Sequence, residues 1–200
     1  HVSTSLVVLR TLNQQRAEAH SDWLAEAREH DHTPETLEYG ISSFIFRARR
    51  PFHPERLHAA LGSRLRPGAL GELLRLKGIT WLATRHDTQA HAALAGTQFS
   101  LAPGPPWWDA IPRALGHEGL AEDIPPLWHD EHAARQTELV CIGRHLNHAA
   151  AEAALRECLL TDDEMAAGTA VWSALHDPFA EAWEAAMAPA DGHDHEHCAA

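Results

Sequence analysis

The fold of this chain is decided by residues 39–61, which read YGISSFIFRARRPFHPERLHAAL. Between Ile41 and Phe46, β-branched and aromatic residues follow the two-residue period of a strand. Pro54 suits the first position of a helix, because proline has no N–H group to lose there. The apolar residues that follow are three and four apart, as in an amphipathic helix: Leu57, Ala60 and Leu61. We therefore expect a strand, a basic turn and a helix.

The remaining chain predicts three more strands and at least two helices. Asn147 is a good N-cap for a helix that runs to residue 159, and Thr161 with Glu164 forms a capping box. The expected fold class is therefore α+β: a ferredoxin-like split βαβ arrangement of four antiparallel strands, with helices on one face and extensions at both termini. The later strands are expected at residues 73–84, 91–101 and 138–144, an irregular loop at 103–112 and a short helix at 124–134.

Several segments, in this order, resemble one family. The chain is similar to the C-terminal domain of the CobW-type GTPases, a group of proposed zinc metallochaperones, over roughly residues 20 to 185. The resemblance implies a CobW C-terminal-like domain at 39–185. The composition on either side predicts an N-terminal extension and linker at 1–38 and a histidine- and acid-rich flexible tail at 186–200. It is carried by GISSFIFRARRPFHPERL (40–57), KGITWLATR (77–85), Trp107-Trp108, QTELVCIG (136–143), LLTDDEMAAG (159–168) and Asp177-Pro178-Phe179.

Composition excludes several classes of function. The formal net charge of −12 argues against a general nucleic-acid or anionic-membrane binder, because phosphate contacts need a positive surface. No apolar run is long enough to predict a membrane span. The three cysteines are far apart and form no CxxC pair, which favours a reducing cytoplasm over a secreted disulfide scaffold.

The sequence lacks the motifs that bind GTP. A P-loop requires a lysine followed by serine or threonine, whereas the only lysine, Lys77, precedes Gly78. That lysine is not preceded by asparagine either, so a guanine-specific NKxD motif is absent, and so is the family's CxCC metal motif. We assign no catalytic residue and expect no GTP on this chain. Whether the native product has enzymatic activity remains open at this point.

Candidate metal ligands cluster in two histidine- and acid-rich stretches. In the tail, His193, His195, His197 and Cys198 supply imidazole and thiolate ligands of the kind that suit Zn²⁺. The alternative for this stretch is a disordered acidic tail or a purification remnant. The second stretch, residues 29–32, contains His30 and His32. Two histidines are too few for a closed site unless the tail comes close enough to complete it.

The basic turn is a candidate anion- or partner-binding site. Its guanidinium groups precede a helix N-terminus and could hold a phosphate, a nucleotide or an acidic partner. The alternative is a solvated strand end, or the face turned toward a GTPase domain. The three residues are Arg47, Arg49 and Arg50.

The resemblance implies a function as well as a fold. It implies a non-catalytic accessory domain of a GTP-dependent metallochaperone, which assists zinc binding or transfer and contacts a metalloprotein client or the GTPase domain. One alternative is a free-standing protein-interaction module without GTPase activity. Another is a small metal-binding protein or metalloenzyme that gathers histidines in a pocket. The sequence does not decide the physiological metal, the client or the oligomeric state.

Overall fold

Five antiparallel strands form one sheet in the order β1-β5-β2-β3-β4. The computed structural model describes residues 40–111 and 131–188. The strands are β1 (Ile41–Ala48), β2 (Leu73–Thr80), β3 (Thr88–Ala95), β4 (Gln98–Pro106) and β5 (Thr137–Arg144).

A split βαβ unit organises the sheet. Strands β1 and β2 both pair antiparallel with β5, which lies between them, so β1 and β2 are parallel to each other. The helical segment after β1 makes the crossover that joins them. It begins as α1 (Pro54–Leu57) and continues as a π-helical turn, His58–Gly62. The predicted α+β class and the strand–turn–helix opening are confirmed.

The later helices begin where side-chain caps supply the missing hydrogen bonds. The Asn147 side chain accepts from the Ala150 N–H, and Thr161 forms a complete capping box with Glu164. Both caps are as predicted. These helices are α2 (His148–Glu157), α3 (Asp162–Ala167), α4 (Thr169–Trp172) and α5 (Ala180–Met187); three 3₁₀ turns lie at Gly68–Glu72, Ala83–Arg85 and Trp108–Ala110.

The main hydrophobic core lies between one face of the sheet and the helices. Alternate residues of the strands point into it, as the two-residue period requires, among them Phe46, Leu76 and Leu139. Helices α1, α2 and α5 contribute Leu57, Leu155 and Trp183, so all three pack on this face. None of the helices within the described ranges is long and apolar enough to cross a bilayer.

The sheet has five strands, so the predicted count of four is wrong. The stretch predicted as one strand, residues 91–101, folds as a β-hairpin, because Gly96 takes a left-handed φ of 58° and turns the chain. Strand β4 then continues to Pro106, into the predicted irregular loop. Prolines are tolerated there because β4 is an edge strand and needs no N–H partner on its open side. The predicted helix at 124–134 falls mostly outside the described residues.

Candidate functional site

The predicted anion-binding arginines all contact other parts of the domain. Arg47 lies opposite Glu138 in the β1–β5 register, and its Nε donates to that carboxylate at 2.6 Å. Arg49 donates to the carbonyl oxygen of Arg135. Arg50 donates to the Leu160 carbonyl at 2.9 Å and to the exposed carboxylate of Asp162 at 2.6 Å.

These contacts limit what the basic turn can offer to a ligand. The charges of Arg47 and Arg50 are each balanced by a carboxylate, although both arginines are more than a third exposed. The Arg50–Asp162 pair is exposed and contributes at most about 1 kcal/mol, so an incoming anion could replace Asp162 at small cost. Glu138 is buried, so replacing it would leave a buried carboxylate without its cation. The anion or partner site at Arg47, Arg49 and Arg50 stays a prediction.

A pocket of about 530 Å³ lies at one end of a second, smaller hydrophobic cluster, which is formed by Trp81, Ala83, Trp107, Ala110, Leu160 and Trp172. Aromatic and histidine side chains line much of the pocket, and Met165, Thr169 and Glu131 are among the other residues that line it. The volume falls in the range of small-molecule sites. Within the pocket the Trp81 ring centroid is 5.3 Å from that of His132, 5.7 Å from that of His86 and 6.2 Å from that of Trp172.

Arg135 fixes the loops around this pocket. Its side chain is 4% exposed and forms ion pairs with the carboxylates of Asp87 and Asp109. Its Nε also donates to the His86 carbonyl at 2.8 Å. Because a buried guanidinium requires charged or polar partners, Arg135 holds the turn before β3 and the turn after β4 together. The sequence did not single out Arg135, whose partners are distant along the chain.

A second group of polar residues lies where the chain enters the sheet. His145 follows β5, and its N–H donates to the Gly40 carbonyl at 2.6 Å. His148 is the first residue of α2, and its Nε2 is 2.8 Å from the Ser42 hydroxyl. Its ring centroid is 5.3 Å from that of Phe44. Both histidines are exposed at this corner, and the sequence assigned them no function.

The predicted metal ligands lie outside the described residues. This applies to the tail residues His193, His195, His197 and Cys198 and to His30 and His32 of the N-terminal stretch. Within residues 40–111 and 131–188, no group of three or more His, Cys, Asp or Glu side chains is arranged to hold a metal ion.

The two described cysteines are core residues, as their apolar neighbours predict. Cys141 and Cys158 are both buried and form no disulfide. Burial raises the pKa of the Cys141 thiol to about 12. Burial also raises the pKa of Cys158 to about 11, against an opposing effect of nearby Arg56. Since the thiolate is the form that binds metals and reacts, neither thiol suits a metal site at neutral pH.

Residues 41–159 match the family described as the cobalamin synthesis protein cobW C-terminal domain. The chain is 38% identical over 167 residues to zinc-regulated GTPase metalloprotein activator 1 of Dictyostelium discoideum, covering 82% of this chain and 34% of that protein. It is 31% identical over 139 residues to a zinc chaperone of Mycobacterium tuberculosis, covering 68% of this chain and 33% of that protein.

Among solved structures, the Zn(II)-bound YjiA GTPase from E. coli is 19% identical, with a TM-score of 0.42. That likeness covers 64% of this chain and 33% of the YjiA chain. The chain therefore spans about a third of the length of the curated relatives and the solved structure that it matches.

Proposed function

This chain belongs to the cobW C-terminal domain family, and we propose that it is the accessory, non-catalytic part of a GTP-dependent zinc metallochaperone. In this role it assists the binding and transfer of zinc, which is the cargo, and it contacts a metalloprotein client or a GTPase domain in the cytoplasm. The observation that carries the proposal is the family match, which spans all five strands and α1 and α2.

The names of the relatives support zinc as the cargo. One similar protein is called a zinc-regulated GTPase metalloprotein activator and another a zinc chaperone. The present sequence contains neither a P-loop nor an NKxD motif, so nucleotide binding would have to come from another polypeptide segment. We therefore propose that GTP is hydrolysed by another polypeptide segment, and that this chain handles the metal and docks to the partner.

We propose that the tail provides the zinc ligands. His193, His195, His197 and Cys198 amount to three imidazoles and one thiolate, which is a complete tetrahedral set for Zn²⁺. Neighbouring carboxylates, such as Asp194 and Glu196, favour a cation electrostatically. Such a stretch can bind a metal without a preformed fold, at the cost of ordering the chain.

A Zn²⁺ competition titration against a chromogenic chelator tests this assignment in the full 200-residue chain. The test variant combines His193→Ala, His195→Ala, His197→Ala and Cys198→Ser. The matched control combines His58→Ala with His176→Ala, two exposed histidines of the folded domain. We expect the tail variant to lose its tightest site and the control to bind like the wild type.

Two outcomes would overturn parts of the proposal. Unchanged affinity and stoichiometry in the tail variant would exclude the tail as the ligand set. If even the wild-type chain cannot take Zn²⁺ from a chelator of micromolar affinity, the proposed zinc role is wrong for this chain. A free-standing interaction module would then be the better hypothesis, and co-purification of one defined partner with and without metal would support it.

A further inference from the structure

A stripe of apolar side chains lies on the face of the sheet opposite the main core. Residues directly opposite each other on neighbouring strands share a face, and Ile45 is opposite Val140 in the β1–β5 register. Their chain neighbours Phe46 and Leu139 point into the main core, so both side chains point away from it. Ile142, two residues after Val140 on β5, has the same orientation. We name these three residues the outer stripe. They belong to neither hydrophobic cluster of the described residues, so none of the described helices packs on them.

Three cationic side chains border the outer stripe. On β2, Lys77 is opposite Val140 and Arg75 is opposite Ile142. Opposite side chains of a sheet are about 5 Å apart at their Cβ atoms, so both cations lie next to the stripe. Arg144 follows Ile142 by two residues on β5 and therefore lies at the end of the stripe. All three cations are exposed, and none of them forms an ion pair or a side-chain hydrogen bond with the described part of the chain.

These cations remain unpaired in a chain that has a surplus of carboxylates. The sequence contains 28 Asp and Glu residues but only 16 Lys and Arg residues. Elsewhere in the domain, Arg56, Arg85 and Arg135 each form an ion pair with a carboxylate. For the three cations beside the outer stripe, the described residues supply no such partner. An apolar stripe with unpaired cations beside it is complementary to a surface that has an apolar centre and carboxylates at its rim.

The dimensions of the outer stripe fit a single helix. From β1 across β5 to β2 there are two strand spacings, or about 10 Å, which is close to the diameter of an α-helix. Strand β5 has eight residues and is therefore about 26 Å long, the length of a helix of about 18 residues. A helix is also the element that most often covers an apolar sheet face in an α+β domain.

We propose that the outer stripe is the docking surface for an amphipathic helix of a partner protein. The apolar side of that helix packs on Ile45, Val140 and Ile142, and its Asp or Glu residues pair with Arg75 and Lys77. The inference rests on the proposed function, because it assigns the surface with which this domain contacts its partner and the chemistry that the partner presents.

A synthetic peptide is the probe for this surface. It has about 18 residues, with leucines three and four positions apart on one side and glutamates on the flanks. A second peptide has the same leucines and carries lysine in place of every glutamate. Isothermal titration calorimetry measures the binding of each peptide to the full 200-residue chain. We expect the acidic peptide to bind and the basic peptide not to bind. The affinity for the acidic peptide should fall as the salt concentration rises from about 50 to about 200 mM.

Charge-reversal variants locate the binding surface. Lys77→Glu and Arg75→Glu, made singly, should each weaken binding of the acidic peptide by about fivefold or more. The matched control is Arg64→Glu, at an exposed arginine outside the strands, which should change the affinity by less than about twofold. Lys77 is the only lysine of the chain. Carbodiimide coupling of the bound acidic peptide should therefore form an amide bond at Lys77, which peptide mass mapping detects.

An apolar variant tests the centre of the stripe. Ile142→Thr keeps a β-branched residue in the strand and should also weaken binding, whereas Leu65→Thr, at a leucine that is 88% exposed, is its control. Circular dichroism of each variant checks that the domain is folded.

The docking proposal is overturned if neither peptide binds, if both bind equally well, or if Lys77→Glu and Arg64→Glu have equal effects. Sedimentation of the chain alone provides a further check. A dimer that is lost in Ile142→Thr would assign the stripe to a second copy of this chain and would also overturn the proposal. If the peptide experiment fails while the tail variant loses its zinc site as expected, the proposed zinc function stands without this docking surface.

Discussion

The carboxylate of Glu164 accepts two hydrogen bonds from the guanidinium of Arg56, across 108 residues of sequence. The same guanidinium donates to the Leu159 carbonyl at 2.9 Å, and the Thr161 N–H donates to Glu164 at 2.7 Å. The residue that completes the capping box of α3 therefore also connects α3 to α1. A local helix signal and a long-range contact depend on one side chain.

Glu164 should make the stability of the domain sensitive to acid. The hydrogen bond from Arg56 lowers the pKa of Glu164 to about 2, burial opposes that shift, and the Thr161 N–H adds to it. A lowered folded-state pKa means that the stabilisation is present above the unfolded value of 4.5 and is lost as the pH falls toward 2. We expect Glu164→Gln to reduce the free energy of unfolding at pH 7 by about 1 kcal/mol, measured by urea denaturation.

The control for this experiment is Glu152→Gln. Glu152 pairs with Arg156 one helical turn away, and both side chains are well exposed. Loss of this exposed ion pair should change the free energy of unfolding by less than about 0.5 kcal/mol. Between pH 4.5 and 2, the difference in stability between wild type and Glu164→Gln should shrink. Equal effects of the two substitutions at every pH would contradict the special role of Glu164.

Replacement of Arg135 by methionine should destabilise the domain by about 3 kcal/mol or more, because it leaves the inward-facing carboxylate of Asp109 without its cation. Thermal and urea unfolding measure the effect. Arg64→Met, at an exposed arginine, is the matched control and should change stability by less than about 0.5 kcal/mol. If both variants lose the same free energy of unfolding, the ion pairs of Arg135 contribute no more to stability than an exposed arginine does.

The sequence predicted those parts of the fold whose signals are local. The alternation from Ile41 to Phe46, the cap at Asn147 and the capping box at Thr161 all lie within a few residues of what they specify. The β3–β4 hairpin was missed because the Ala-rich residues before Gly96 and the alternating polar and apolar residues after it look like one continuous strand, and only the left-handed backbone of Gly96 reveals the turn.

The surroundings of the candidate sites could not be predicted in the same way. Arg135 contacts groups 26 and 48 residues away, and no periodic pattern encodes such a pairing. The contacts of His145 with Gly40 and of His148 with Ser42 join segments about 105 residues apart, and no local pattern predicts them. The arginines of the basic turn were recognised in the sequence, but their partners Glu138, Leu160 and Asp162 come from two distant segments.

Gly78 should tolerate no side chain. A Cβ atom there would lie 2.0 Å from the Glu138 carbonyl oxygen and 2.9 Å from the Leu139 Cα, both on the neighbouring strand β5. Backbone cannot move aside without breaking the central pairing of the sheet, so Gly78→Ala should prevent stable folding. Gly96→Ala is the control: its Cβ would meet nothing within 4 Å, and the left-handed backbone costs about 1 kcal/mol. Soluble yield and melting temperature are measured for both variants. Similar values for Gly78→Ala and Gly96→Ala would contradict the steric argument.

The two core thiols should be unreactive until the domain unfolds. With Cys198→Ser removing the third thiol, Ellman's reagent at pH 8 should modify Cys141 and Cys158 only at the rate of unfolding, because burial raises the pKa of both thiols. A raised folded-state pKa also means that the contribution of each thiol to stability is present below the unfolded value of 9.0. It declines as the pH rises toward about 11 for Cys158 and about 12 for Cys141. Single Cys141→Ala and Cys158→Ala substitutions in the same background assign each reaction. A thiol that reacts quickly, at a rate independent of denaturant, would show that its part of the core opens without global unfolding.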